Sequence, residues 1–444
     1  MTRVVTGMVV AIMAATIALL GVSGANAAVP EASDGLKHCQ VNDGRQPETA
    51  TPQEEGLDPA ALQSAVGFAS DPTRFTLQIF RNNCLVAGGP NNQRAGGVAW
   101  NLWSGTKSVV AMVAGIAVDQ GKLHVDDPID KYLPPGLGDA GHRAITVRSL
   151  LNETSGMEVA VASEGITGLA NLDPNIVAQA LGMPIVHPQG QVWQYSQRAV
   201  DLLAYVIQQA VGEDIQAFAQ QHLFSPLGIE PTDYHWARDR SGNTYGHAHL
   251  VMPPDDYAKL GLLLVNDGDW HGIRVISPDY LKQAVAPVDA NTCYGFLFTV
   301  NGPGCDSLFP GLPSDTFQMS GMMRQDNFIV PSLGLLVSWT GVTIPGGSVS
   351  FPHDVFRALT RAFLQPPLPD PGPYVPHPDV SILDPMLTNP DATLSALGLG
   401  PMAYPGCGLF QCLGKPLYAP FGDWPPGCFI LGCVGNDPRT PGIR

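Results

Sequence analysis

The sequence predicts an α+β fold, an antiparallel sheet flanked by helices in a sandwich, with an all-helical lobe inserted between its early and late strands. Three observations carry this reading: a strand pair early in the chain, helical periodicity through the middle, and a return to strands before a last helix. Phe75–Ile79 and Cys84–Val86 flank Arg81-Asn82-Asn83, a hairpin signal. Ser104–Gln120 reads as a helix, because Val109, Val110, Met112, Val113, Ile116 and Ala117 form a broad apolar face that stops at Gly121. Helices follow at Val147–Leu151, Val200–Val211, Ile215–His222, Pro254–Asn266 and Pro278–Gln283. Tyr294–Val300, Asp326–Val330 and Leu335–Trp339 read as late strands and Asp354–Leu364 as the closing helix. Such an order leaves a cleft between sheet and lobe.

The chain of 444 residues, 45% hydrophobic and 14% charged, is long enough to bury a large core, which excludes disorder of the whole. A formal net charge of -16 argues against a nucleic-acid partner, since phosphates would meet an acidic surface. Residues 1–27 read as a signal peptide: Arg3 is the positive flank, Val4–Val22 the apolar run, and Ala25-Asn26-Ala27 the cleavage site. The rival reading is an uncleaved membrane anchor. Export places the protein outside the cell or in its envelope, where the eight cysteines become disulfides, with the expected pairs Cys39–Cys84, Cys293–Cys305, Cys407–Cys412 and Cys428–Cys433. Residues 28–365 form the expected catalytic body. From Pro366 the chain turns proline-rich and loses long hydrophobic periodicity, so 366–444 reads as a tail with two echoing Pro-Gly-Cys loops, a surface wrapper or wall-spanning extension.

Ser104-Gly105-Thr106-Lys107 is the strongest chemical signal. Residues three apart on a helix share a face, so a lysine amine can reach a hydroxyl one turn earlier, and the helix N-terminus offers positive potential to an oxyanion. A serine hydroxyl attacks carbon only once a base takes its proton, and a buried lysine is one candidate for that base. The bland alternative is a helix-capping serine with a solvated lysine.

Ser104-Gly105-Thr106-Lys107-Ser108, Gly115–Leu123, Asp126–Pro134 and Ile145–Met157 resemble the serine β-lactamase and penicillin-binding-protein-like hydrolases, above all the branch of class C β-lactamases, esterases and 6-aminohexanoate-oligomer hydrolases. Tyr195-Ser196-Gln197, Pro226–Ile229 and Gly261–Leu264 with Gly268, Trp270 and Gly272 are similar to its later segments. The resemblance runs from about residue 70 to 345 and implies the β-lactamase/transpeptidase-like fold. It further implies that Ser104 is the nucleophile, that Lys107 and Tyr195 share the general base and acid roles, and that the Ser104 and Met322 amides form the oxyanion hole. No cofactor and no metal are implied. Two departures stand out. Gln197 replaces the pattern's asparagine, so a longer amide has to orient the lysine and the substrate. Met319-Ser320-Gly321 stands where Lys or His-x-Gly is usual, so no charged side chain greets a substrate carboxylate there; Ser320, Gly321 and Arg324 are the remaining candidates for substrate contact, with Arg324 a candidate source of the missing charge. The implied activity is hydrolysis of a small-molecule or short-oligomer ester or amide through an acyl-enzyme. The alternatives are a true β-lactamase or D-Ala-D-Ala peptidase, a non-catalytic scaffold or wall-associated binder, and a tail that is itself an adhesion module.

Other signals carry less. Gly136-Leu137-Gly138-Asp139-Ala140-Gly141 matches a dinucleotide-loop pattern, but no strand leads into it. His247-Ala248-His249 places two imidazoles on one strand face without an obvious third ligand. Trp103 reads as packing or substrate stacking.

Overall fold

A computed structural model describes residues 35–433 apart from 42, 45, 71–73, 170, 343–350, 377–387 and 420–423. The expected signal peptide, 1–27, lies outside the described residues, and no helix among the described residues is long and apolar enough to cross a membrane.

In chain order the site-bearing elements are helix α1 (Pro59–Ala69), strands β1 (Arg74–Arg81), β2 (Cys84–Gly88) and β3 (Trp100–Asn101), helix α2 (Gly105–Asp119), then α3 (Val147–Leu151), α4 (Val161–Leu169), α5 (Ile176–Gly182), α6 (Gln197–Val211) and α7 (Ile215–Ala219). Strands β4 (His235–Trp236) and β5 (Leu250–Met252) precede α8 (Pro254–Val265) and α9 (Pro278–Ala284), and β6 (Thr299–Val300), β7 (Phe317–Gly321), β8 (Gln325–Val330) and β9 (Leu335–Gly341) lead to α10 (Phe351–Ala362). Six strands form one sheet in the order β2-β1-β9-β8-β7-β6, every neighbouring pair antiparallel. A second sheet, β3-β5-β4, carries the strand that runs into Ser104.

The hairpin signal is realised: Asn82 and Asn83 both adopt positive φ, at 48° and 65°, the left-handed pair that joins twisted strands across two residues. α1, which the sequence reading omits, has its own signal, Asp58 accepting from the Ala61 amide with Pro59 at the first helical position. It packs with α10 over one sheet face, burying Leu62, Ile79, Phe328, Trp339 and Phe356. The opposite face meets the lobe, and α2, buried on all sides from Gly105 to Ala117, runs through the middle of that larger core.

Tyr294–Val300 is not a full strand. Only Thr299–Val300 pairs in the sheet; Leu297 takes φ 58° and donates to the Leu151 carbonyl, and Gly295 lies so close to Ala284 that a Cβ would fall 2.2 Å from its carbonyl oxygen. The backbone is spent on a turn against the lobe, which hydrophobicity alone does not reveal. All four expected disulfides are present.

The proline-rich tail lies on the body through specific bonds. Tyr404 accepts from the Gly138 amide at 3.1 Å, Arg240 and Tyr418 bond to each other's backbone, and Asn389 reaches Glu158 at 2.7 Å. The glycine-rich segment at Gly138 is thereby a docking turn for a tyrosine.

Candidate active site

The nucleophile candidate is presented by an abrupt turn. β3 ends at Asn101, Trp103 adopts φ 49°, and Ser104 opens α2 with φ -63°. A left-handed conformation at a bulky residue costs about 1–3 kcal/mol and persists only where surrounding contacts impose it. Here Asn101 Oδ1 accepts from the Trp103 amide at 2.9 Å and the Leu102 amide donates to Leu250 at 2.9 Å. Trp103 itself is buried against His249, in edge geometry at 5.9 Å, which settles it as packing.

Ser104 caps no helix amide; its hydroxyl lies beside the Tyr195 phenol and slightly offsets the rise that burial imposes on it. Lys107 is not solvated either. It is 1% exposed, and its Nζ donates to Glu153 Oε1 at 3.0 Å and to the Ser196 carbonyl at 2.7 Å while lying 4.2 Å above the Tyr195 ring. The three residues expected to act together are therefore together, and the capping alternative for Ser104 fails.

Glu153 is the residue that sequence reasoning missed. It follows α3 at φ 55°, is 1% exposed, and its Oε1 also accepts from the Ser196 amide at 3.4 Å, with the Tyr294 phenol beside the same carboxyl. No spacing rule points to it, and its neighbours Asn152, Thr154 and Ser155 are polar, so no break in hydrophobicity marks it either. Burial pushes the Lys107 ammonium down, but the charges of Glu153 and Tyr195 outweigh this and hold it above its ordinary value. Burial raises Glu153, against the pull of Lys107. Burial also raises the Tyr195 phenol, with Lys107 opposing and Glu153 reinforcing the rise.

Gln197 does not hold the lysine. Its amide N–H donates to Glu164 Oε2 at 2.7 Å, and its side-chain Oε1 is buried with no hydrogen-bond partner among the described residues. The shorter route through Ser196 and Glu153 already occupies Nζ. The Tyr195–Gln197 loop is anchored from behind by a buried charge network: Arg198 bonds Asp173 at 2.7 Å and Asp201 at 2.9 Å, and Asp201 also bonds His247 Nδ1 at 2.9 Å. Burial alone would raise Asp201, but His247 and Arg198 hold it well below the usual carboxylate range. His247 is thus spent on an aspartate, and His249 meets it edge-on at 5.5 Å.

The far wall is the β7–β8 hairpin. Met319 is fully buried, with Asn327 Nδ2 directed at its sulfur at 3.7 Å, so its side chain serves the core. Ser320 is partly buried and donates to Asp326 Oδ1 at 3.0 Å. At Gly321 an added Cβ would stand 2.0 Å from the Leu102 carbonyl oxygen, so only glycine lets this strand lie against the approach to Ser104. Met322 follows at the exposed tip, and Arg324, at φ 68°, is partly buried with its charge felt by Asp326. The amides of Gly105, Thr106 and Lys107 are engaged with carbonyls, whereas those of Ser104 and Met322 make no hydrogen bond among the described residues.

A family model described as Beta-lactamase matches residues 88–350. An uncharacterized protein of Mycobacterium tuberculosis is 26% identical over 232 residues, covering 41% of this chain and 58% of that one, so this chain spans less than two thirds of that relative. Esterase EstB of Burkholderia gladioli is 31% identical over 146 residues, 29% of this chain and 37% of the esterase. Among solved structures, a putative 6-aminohexanoate-dimer hydrolase from Bacillus anthracis superposes with a TM-score of 0.57 at 13% identity, covering 72% of this chain and 87% of the other, a likeness of fold. With more than half of its length matched by that family model, and with the expected sheet and helical lobe in place, the chain belongs to the beta-lactamase family.

Proposed function

We propose that this chain is an exported serine hydrolase that opens an ester or linear amide through an acyl-enzyme on Ser104. One observation carries the reading: the Ser104 hydroxyl, free of any capping duty, lies beside a phenol whose ring sits under a buried ammonium. The likeness to an esterase supports ester chemistry, and the four disulfides support an oxidising compartment.

In the reactive form Tyr195 is a tyrosinate and Lys107 an ammonium. As Ser104 Oγ bonds the carbonyl carbon, its proton passes to the Tyr195 oxygen, and the oxyanion falls to the Ser104 and Met322 amides. Tyr195 then returns that proton to the departing alcohol or amine, leaving an acyl-serine and a tyrosinate. In the second half water attacks the acyl carbon and gives its proton to Tyr195, which passes it to Ser104. Lys107 works as fixed charge: it bonds Glu153 and Ser196, and it favours the tyrosinate that burial opposes. Gln197, Ser320, Gly321 and Arg324 line the substrate side. The uncharged Met319 favours substrates without an essential carboxylate, which places simple esters and linear amides ahead of β-lactams.

The test is intact-mass analysis after a fluorophosphonate probe, together with an ester and amide panel and a Ser104→Ala control. A single adduct on Ser104 and hydrolysis abolished in the variant are expected. Absence of adduct with both fluorophosphonate and a fluorescent penicillin would leave the chain as a binding scaffold.

A further inference from the structure

The stapled loop near the C-terminus reaches the nucleophile strand. Residues 424–433 fold into a tight turn in which Phe429 and Gly432 exchange backbone hydrogen bonds and Cys428–Cys433 closes the base. That turn adds itself to the edge of β3. The Asn101 amide donates to Leu431 O at 3.0 Å, Cys433 N donates to Ala99 O at 2.9 Å, and Trp100 and Gly432 face each other in an antiparallel bridge. Ala99, Val251 and Cys433 make a small apolar cluster under Trp424, whose ring also meets His249 edge-on.

One side chain links this loop to the turn that presents Ser104. Asn101, 1% exposed, donates from Nδ2 to Ile430 O at 2.7 Å. Its Oδ1 accepts from Trp103 N at 2.9 Å and from His249 N at 3.2 Å. Nδ2 also lies 3.1 Å from His249 Nδ1, so the tail carbonyl and His249 together set which way the Asn101 amide faces, and the amide oxygen in turn holds Trp103 in the left-handed conformation that a bulky residue resists. Ser104 is the next residue.

Building on the hydrolase reading above, we propose that Asn101 is a positioning residue and that the 424–433 loop is part of the active site's support, holding Ser104 in its attacking position. The echoing loop Cys407–Cys412 is the built-in control, since it lies against Gly398 within the tail and faces a cavity lined by Tyr205 and Arg240 rather than β3.

Gly432→Val tests the link in the full-length protein without altering any group placed in the cleft, because a Cβ at Gly432 would stand 2.5 Å from Ala99 O and must lift the loop from β3. Expected are a kcat lower by about tenfold or more with KM changed by less than about threefold, and a matching slowdown of Ser104 labelling, as loss of alignment predicts. Hydrogen exchange should speed up at Trp103, whose amide Asn101 holds, but not in the interior of α2, a readout that needs no turnover. Cys407→Ser/Cys412→Ser should leave all of these unchanged, and Cys428→Ser/Cys433→Ser replaces Gly432→Val if that variant does not fold. Unaltered exchange at Trp103 in a variant lacking the docked loop, or equal losses from the two stapled loops, would overturn the inference; a wild-type protein that neither hydrolyses esters nor labels at Ser104 overturns the hydrolase reading instead, with exchange still deciding the positioning.

Discussion

At the scale of single residues, the site turns on how one buried ammonium is kept charged. Desolvation is the largest influence on Lys107 and acts to remove its proton; Glu153 is the largest influence against it. Glu153→Gln therefore lets the lysine go neutral, and Tyr195 loses the charge that favours its anion. The expected result is at least an about tenfold fall in kcat at neutral pH, with a stability loss of about 3–5 kcal/mol for a buried pair deprived of one partner, read by ester kinetics and denaturant unfolding. Glu153→Asp, which keeps the charge, should recover part of both. The sign of the pH dependence follows from the same groups. Tyr195 is raised, so its anion is scarce at neutral pH and grows by about tenfold per pH unit below its folded pKa. Lys107 is also raised and stays charged through that range. Acylation should accelerate from neutral into alkaline pH; a rate flat with pH from 6 to 9 on a good ester would remove Tyr195 as the base.

At the scale of elements, the cleft is assembled by close backbone approach. Gly321 brings β7 against Leu102, and Gly115 lets α9 rest on α2, where an added Cβ would stand 2.5 Å from the Tyr280 ring. Gly321→Ala should push Met322 away from Ser104 and lower kcat as well as stability, because its Cβ meets backbone, whereas Gly115→Ala, remote from Ser104, should cost about 1–3 kcal/mol of stability as an overpacked core does, with kcat unchanged. Helix positions were largely legible in the sequence because α2, α3, α8 and α9 combine an apolar face with recognisable starts and stops. The segment 294–298 was not, because Leu297 bonds Leu151 in a remote helix. Likewise α4 sits in the lobe where polar residues are buried by pairing, as Glu164 does with Gln197 and Arg198, so its hydrophobic pattern is diluted, while α5 is a short apolar run of seven residues that shows no helical period.

At the scale of the whole molecule, the tail is bound into the body at several separate places, with loop 424–433 extending the sheet that carries Ser104. Removing residues 366–444 should therefore lower turnover as well as the unfolding midpoint, the opposite of what a detachable appendage would do; wild-type kcat in the truncated protein would refute this. The linear order of residues determined most helix positions and set Ser104 one turn before Lys107, because these are written in local periodicity and short spacing, while Tyr195 was reached through the resemblance its motif carries. Only the tertiary structure decided that Glu153 pairs with Lys107, that Gln197 does not, and that the Ile430 carbonyl meets Asn101 behind Ser104. The two contacts made join residues 46 and 329 positions apart in sequence. Burial and hydrogen-bond geometry select such partners after the chain has closed on itself, and neither quantity exists before it folds.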